Sequence, residues 1–322
     1  LDISIVIPVY NGEETIKLCL DAVSGLTIPE GMNIEILLIN DGSTDRTKEI
    51  ASAYPNVRII DLEKNMGRVV ARETGARRAE FDNLLFVDAR VEVSKEILIR
   101  LHGLNYSPVI AGGLCDEKYK SDYETFFYLV RKKIYSPYYP QEKYSKELYI
   151  DEANFFKAPK GTTCFFVKRE LFLKSLPESK AKDTSDDTKI MHSIVFKNKT
   201  KILRHTEVSI KYHQRTETNI NSWIHHRGRI WADHYLSFIN KYSILYALFS
   251  LLAFILIVKS LMFAIMFIFI FLLLISFYLS EEKKDIIIIM KTLPPLAVLF
   301  YAGTLEKLYK RLVGSFSNKP KI

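Results

Sequence analysis

Between Ile244 and Leu279 the chain runs for 36 residues in which only Ser250, Lys259, Ser260 and Ser276 fall outside the apolar set. As a single helix that run is about 54 Å long, far beyond a hydrocarbon core of roughly 30 Å. It must therefore break, and the polar pair Lys259-Ser260 near its middle marks the place. Two spans are expected, about 243–258 and 261–279, folded as a hairpin whose tight turn lacks Gly and Pro. A third apolar stretch, 286–302, carries Lys291 and Pro294-Pro295. The double proline removes two backbone donors and clashes with the preceding turn, which favours a kinked, re-entrant or interfacial segment over a straight span. The competing reading, a buried soluble helical core, would ask the preceding residues to enclose two helices that are apolar on every side.

Charge placement bears on topology. The chain has 45 Lys and Arg against 37 Asp and Glu, a formal charge of +8. Residues 241–322 hold ten basic and four acidic side chains, whereas residues 1–240 are nearly balanced at 35 and 33. A surplus confined to one tail argues against a basic nucleic-acid footprint spread over a folded domain. If two spans cross, the front of the chain, the Glu281–Lys284 cluster and the basic end (Lys307, Lys310, Arg311, Lys319, Lys321) share the cytoplasmic side, as the positive-inside rule prefers. Three crossings would export that end. Cys19, Cys115 and Cys164 form no CxxC pair, which argues against a disulfide scaffold or structural zinc. Leu1 leads straight into a strand pattern, so no signal peptide is read there.

The first 240 residues alternate strand and helix signals. Ile3–Val9, Ile34–Asn40, Val57–Asp61 and Leu84–Asp88 read as strands, and Glu14–Val23, Thr44–Tyr54 and Arg68–Ala79 as the helices between them. Continuous β-rich runs separated by helices of about ten residues predict a mainly parallel α/β sheet. Ligands of such sheets sit at the carboxyl ends of the strands. Those ends read Pro8-Val9-Tyr10-Asn11, Asn40-Asp41-Gly42-Ser43 and Asp88-Ala89-Arg90. Taken alone, Asp41–Asp45 is equally a turn in which Ser43 or Thr44 caps the next helix.

IPVYNGEE, INDGSTD, NMGRVVARETGARRA and FVDAR follow one another at spacings that resemble the family 2 inverting glycosyltransferases with a GT-A fold. The resemblance covers roughly residues 3–235 and looks closest to membrane-associated, succinoglycan-type enzymes. It implies a mixed, mainly parallel sheet flanked by helices over residues 1–212, while the aromatic and basic stretch predicts an interfacial helical region over 213–242 and the apolar runs a membrane region over 243–322. It also implies that Pro8, Tyr10, Asn11 and Glu13 surround a nucleotide and that Asp41 accepts from the nucleobase. Asn40 replaces the first Asp of the family's Asp-Asp-Gly-Ser element. Asn65, Gly67 and Arg72 match the segment under the nucleoside and diphosphate. Arg68 and Arg72, one turn apart, share a helix face and are expected to neutralise phosphate; a solvated face is the alternative.

Asp88-Ala89-Arg90 stands where the family has Asp-x-Asp, whose carboxylates hold Mg²⁺ or Mn²⁺ against the donor diphosphate. Hard cations want oxygen ligands, and Arg offers none. The expectation is that the metal is retained at Asp88, with His213 as a further candidate ligand. Arg90 then either points away or brings its charge to the diphosphate, and loss of activity is a third option. Asp186 and Asp187 match the family's acidic pair at a helix start, the second being the general base that inverting transfer needs; ordinary helix-start acidity is the alternative. Arg215 resembles the family's loop arginine that closes over the diphosphate. Tyr123–Tyr139 and Trp223–Trp231 mix aromatic and basic residues as interfacial helices do, or pack on the protein's own core.

Together these features predict a multi-pass protein of the cell membrane with a cytoplasmic catalytic domain. Its expected partners are a nucleotide-diphosphate sugar, a polyprenyl-linked acceptor and the bilayer, with no nucleic acid. The transfer would extend a lipid-linked oligosaccharide for surface polysaccharide or glycolipid. Charging of polyprenyl phosphate with one sugar, or a non-catalytic nucleotide-sugar-binding scaffold, are the alternatives. A nucleotidyltransferase would want a Gly-rich basic loop after the first strand, where this chain has Tyr10-Asn11-Gly12-Glu13-Glu14.

Overall fold

The computed structural model describes residues 1–114, 121–135, 147–179, 186–213, 217–236 and 241–317. They form two compact units. The first takes in the described parts of 1–118, 135–182 and 186–214, and the second those of 119–134 and 215–322.

In the first unit, β1 (Ile3–Val9), β2 (Ile34–Asn40), β3 (Val57–Asp61) and β4 (Asn83–Val87) are parallel and lie in the order β3-β2-β1-β4. The sheet continues through β8 (Cys164–Lys168), antiparallel to β4, then β6 (Val109–Leu114), β9 (Ile202–Tyr212) and β5 (Val91–Val93), with β7 (Glu147–Ile150) also on β9. It is a mixed, mostly parallel sheet flanked by helices. The period-2 alternation of β1 explains the two layers. Ile3, Ile5 and Ile7 enter one core with Cys19, Leu20 and Val23 of α1 (Ile16–Ser24) and Leu98 and Leu101 of α4 (Ile97–Leu104). Val6 turns to the other face and joins Phe86, Ala71 and Ala76 of α3 (Arg68–Arg78), Phe172 of α6 (Arg169–Lys174) and Ile190 of α7 (Asp186–His192). Gly75 lets α3 settle on β1, since a Cβ there would stand 2.3 Å from Val6 Cγ1. Cys19 and Cys164 are free and buried.

Strand bounds agree with the sequence expectation over β1, β2 and β3. Of the helices, α2 (Thr47–Ser52) is shorter than expected at both ends. Ser43 and Thr44 do not cap it. Asp45 does the local work, accepting from Thr47 N at 3.1 Å in an Asx turn.

The second unit contains α5 (Asp122–Ile134), α8 (Glu217–Tyr235), α9 (Lys241–Lys259), α10 (Leu261–Leu279) and α11 (Lys283–Ser317). The apolar run does break at Ser260, whose backbone is extended (φ −167°, ψ 117°). Leu261–Leu279 and Lys283–Lys310 are long and apolar enough to cross a membrane, with mean hydropathy 2.8 and 1.8. The 286–302 stretch is part of α11, a helix that runs through Pro294 and Pro295. Phe126 and Leu129 of α5, Ile220 and Ile224 of α8, and Ile289 and Leu296 of α11 form its core, and Trp223 meets Phe127 edge-on at 5.3 Å. These aromatic segments therefore pack at least partly on protein. α8 and α11 cross at two glycines: a Cβ on Gly228 would stand 2.0 Å from Phe300 O, and one on Gly303 1.9 Å from His225 O.

Candidate active site

The ends of β1 and β2 are sewn together. Asp41 N donates to Val9 O at 2.8 Å, Thr44 N to Asn11 Oδ1 at 2.9 Å, and Asn11 N to Ser43 Oγ at 3.0 Å. Gly12 N reaches Thr47 Oγ1 at 2.8 Å, while Glu13 N donates to Asp45 Oδ2 and Arg46 N to Glu13 Oε2, both at 3.1 Å. Asn11 holds φ 47°, a left-handed conformation that Asn tolerates. Thus Asn11 and Glu13, expected around a nucleotide, shape the cleft through the neighbouring loop. Tyr10 is exposed beside them, and Pro8 is half-buried opposite Ile39.

Asp41 is 4% exposed and accepts from Met66 N at 2.6 Å and Gly67 N at 2.9 Å. Its visible role is to hold the 64–67 segment, with Asn65, at the sheet edge. Gly42 makes the approach feasible: at φ 68° its absent Cβ would lie 2.5 Å from Lys64 C and 2.6 Å from Asn65 N. Asn40 also serves the loop, donating to Asp61 Oδ1 at 2.8 Å and accepting from Ser43 N at 3.1 Å.

Beyond Gly67 begins α3, and here Arg68 and Arg72 part company. Arg68 is exposed, whereas Arg72 is 1% exposed among Val69, Ala71, Gly75 and Ala76, all buried. Arg72 Nη2 donates to Asp88 Oδ1 and Nη1 to Asp187 Oδ1, each at 2.9 Å. Thr162 Oγ1 adds a bond of 2.5 Å to the same Asp187 oxygen. The side chains of Asp88 and Asp187 keep 27% and 34% of their surface, so a substrate can reach both. Burial pushes Asp187 up, but the Arg72 and Arg68 charges, with the Thr162 and Arg72 hydrogen bonds, outweigh it and hold the carboxyl well below the usual range. Asp88 goes the other way: burial raises it, against Arg72, and the charge of Asp187 adds to the rise. Arg72 is therefore a buried bridge between two carboxylates, and of the two arginines expected to share a face toward phosphate only Arg68 is exposed.

Arg90 leaves the strand end toward β9. Its guanidinium lies 5.2 Å from the Tyr212 ring centroid, and its carbonyl accepts from His213 N at 2.8 Å. His213 Nε2 is hydrogen-bonded to Glu92 Oε1, which also faces Lys211 Nζ at 3.5 Å. The Asp186 side chain and Arg215 lie outside the described residues.

Residues 4–173 match Glycosyl transferase family 2. The chain belongs to that family. Its relatives include the glycosyltransferase AglE of Haloferax volcanii, 40% identical over 90 residues that make up 27% of this chain and 29% of AglE. Another is the poly(ribitol-phosphate) beta-glucosyltransferase of Bacillus spizizenii, 35% identical over 122 residues, 35% of this chain and 19% of that protein. The chain thus matches less than a third of the length of these curated relatives. Among solved structures, the mannosyltransferase PcManGT of Pyrobaculum calidifontis, in complex with GDP-Man and Mn²⁺, superimposes over 96% of this chain and 87% of its own at TM-score 0.56 and 16% identity. TarS 1–349 of S. aureus with UDP-GlcNAc follows over 72% and 66% at 0.50 and 16%. The family 2 chain has a GT-A-like fold.

In this family 2 site the candidate ligands of a divalent ion already have partners. Asp88 is tied to Arg72, the next even position is a guanidinium, and the Nε2 of His213 is taken by Glu92. Among the described residues no three His, Cys, Asp or Glu side chains form a metal cluster. No motif in the sequence marks Thr162, Glu92 or Tyr212 as site residues. Thr162 sits two residues before β8 and gave no motif, and Glu92 and Tyr212 meet the site only through the β5–β9 pairing, Val91 opposite Tyr212.

Proposed function

We propose that this family 2 chain is a membrane-anchored inverting glycosyltransferase that moves a sugar from a nucleotide-diphosphate donor to a lipid-linked acceptor in surface polysaccharide or glycolipid synthesis. The observation that carries the reading is the bridge of Arg72 between Asp88, at the carboxyl end of β4, and Asp187, at the start of α7. It fixes a reactive carboxylate beside the strand ends where α/β sheets bind ligands. The apolar helices Leu261–Leu279 and Lys283–Lys310 support the anchor and a lipid-phase acceptor; the first unit is assigned to the cytoplasmic side.

In this reading the acceptor oxygen attacks the anomeric carbon as the bond to the diphosphate oxygen breaks, and the nucleoside diphosphate leaves with the electron pair. The acceptor proton passes to Asp187. The contacts that keep Asp187 ionised also make it a weak base, so transfer runs late, once the attacking oxygen has given up electron density. Arg72 and Thr162 orient the carboxylate throughout. Arg215 is assigned to the diphosphate and Asp186 to the helix start.

The test is release of nucleoside diphosphate from UDP- and GDP-sugars by the full chain in detergent with lipid extract. We expect lipid-dependent release, lowered on the order of 10²–10⁴-fold by Asp187→Asn with donor binding retained. Donor binding with no transfer to any lipid extract sinks the enzyme reading and leaves a scaffold.

A further inference from the structure

We infer that this chain grips the diphosphate of its donor with the Arg90 guanidinium, in the place where a divalent cation would need an oxygen ligand, so that nucleotide binding does not require a metal ion. The inference rests on the nucleotide-sugar reading above.

Four observations lead to it. Arg90 is two residues past Asp88, at the carboxyl end of the sheet. Its main chain is fixed on both sides: Val91 N donates to Asp88 O and His213 N to Arg90 O, at 2.9 and 2.8 Å. Its side chain is held by the Tyr212 face at 5.2 Å. Among the described residues it meets no carboxylate within ion-pair distance, whereas its neighbours are matched: Arg72 by Asp88 and Asp187, and Lys211 by Glu92.

A cation with no counter-ion among the described residues, at the ligand-binding end of a sheet, calls for an anion. The guanidinium suits this one. Held over a ring by a cation–π contact, it still has N–H donors that can fork onto two phosphate oxygens. The contact with Tyr212 also limits rotamer freedom before the anion arrives, so less is lost on binding. The acceptor-only groups that would prefer a metal are meanwhile engaged, Asp88 by Arg72 and Glu92 by His213. One fixed positive charge thus takes the role that a bound ion would have in drawing the diphosphate to the strand ends.

Titration calorimetry of the full chain in detergent with UDP and GDP, in EDTA and in excess Mn²⁺, tests this. The expected result is a Kd for one nucleotide that changes less than about threefold between EDTA and Mn²⁺. Arg90→Gln, which keeps length and polarity, weakens binding in EDTA by about tenfold or more, as loss of a charge-assisted pair implies. Arg90→Lys recovers part of it. The inference is overturned if EDTA abolishes wild-type binding and Mn²⁺ restores it, or if Arg90→Gln binds like wild type; in both cases the donor reading stands. Failure of both nucleotides to bind under either condition overturns the donor reading and this inference with it.

Discussion

Arg72 Nη1 lies 2.9 Å from Asp187 Oδ1, a contact across 115 residues of chain made by a guanidinium that is 1% exposed. Together with the matching bond to Asp88 it ties α3, β4 and α7 at one point. Removing the cation strands two carboxylates, but each keeps some solvent. Arg72→Met is therefore expected to cost about 2–3 kcal/mol, below the 3–5 typical of a fully buried broken pair. Denaturant midpoints check this, and a double-mutant cycle with Asp187→Asn should be non-additive.

Asp187 and Asp88 give opposite signs with pH. The folded-state pKa of Asp187 is depressed, so its contribution to stability is fully present above the unfolded value of about 3.9 and is lost as pH falls through the depressed value. The stability gap between wild type and Asp187→Asn should be flat from about pH 5 to 8 and shrink below about pH 4. Asp88 is raised, so its ionisation is resisted in the folded protein. Asp88→Asn should accordingly cost less at pH 7 than Asp187→Asn, measured by the same midpoints.

Gly42→Ala combines a strained φ of 68° with a Cβ 2.5 Å from Lys64 C. Gly31 has a similar φ of 72° and open space around it. The φ penalty alone, about 1 kcal/mol, is expected for Gly31→Ala, and at least about 2 kcal/mol for Gly42→Ala, whose clash is with backbone. Only the second should also weaken nucleotide binding, by displacing the 64–67 segment that Asp41 holds.

At the α8–α11 crossing, Gly228→Ala and Gly303→Ala each force backbone apart, because the added carbon would meet a carbonyl oxygen at 2.0 and 1.9 Å. Each should destabilise the second unit by about 1–3 kcal/mol, and the double variant by less than their sum, since either one already opens the crossing. Limited proteolysis of residues 217–236 reads out the loss.

Strands buried on both faces announce themselves in composition, which is why Ile3–Val9 and Ile34–Asn40 are legible residue by residue; Val57–Asp61, a more exposed strand at the end of the sheet, is legible from its short β-branched run. The polar pair at Lys259-Ser260 was legible for the same reason: one uncompensated break in an apolar run leaves little choice of turn. Pairings distant in sequence were not. RVVARETGARRA shows that Arg68 and Arg72 share a helix face, but only the small residues Ala71, Gly75 and Ala76 hint that Arg72 can sink between α3 and the sheet. Asp41 reads as a ligand in sequence, and only the fold shows Met66 N and Gly67 N donating to its two oxygens. Pro294-Pro295 reads as a breaker, and α11 passes through it because Ile289 and Leu296 on either side are buried, so packing outweighs local preference.

The stitched loops at the ends of β1 and β2 bear on timing. Eleven, twelve and thirteen on one side and forty-three to forty-seven on the other already hold one another through main-chain and side-chain bonds. A molecule entering beside them meets a rim that is set during folding and waits for no rearrangement. Its arrival rate is then governed by diffusion and charge, and differences in affinity among related molecules fall on how long each one stays.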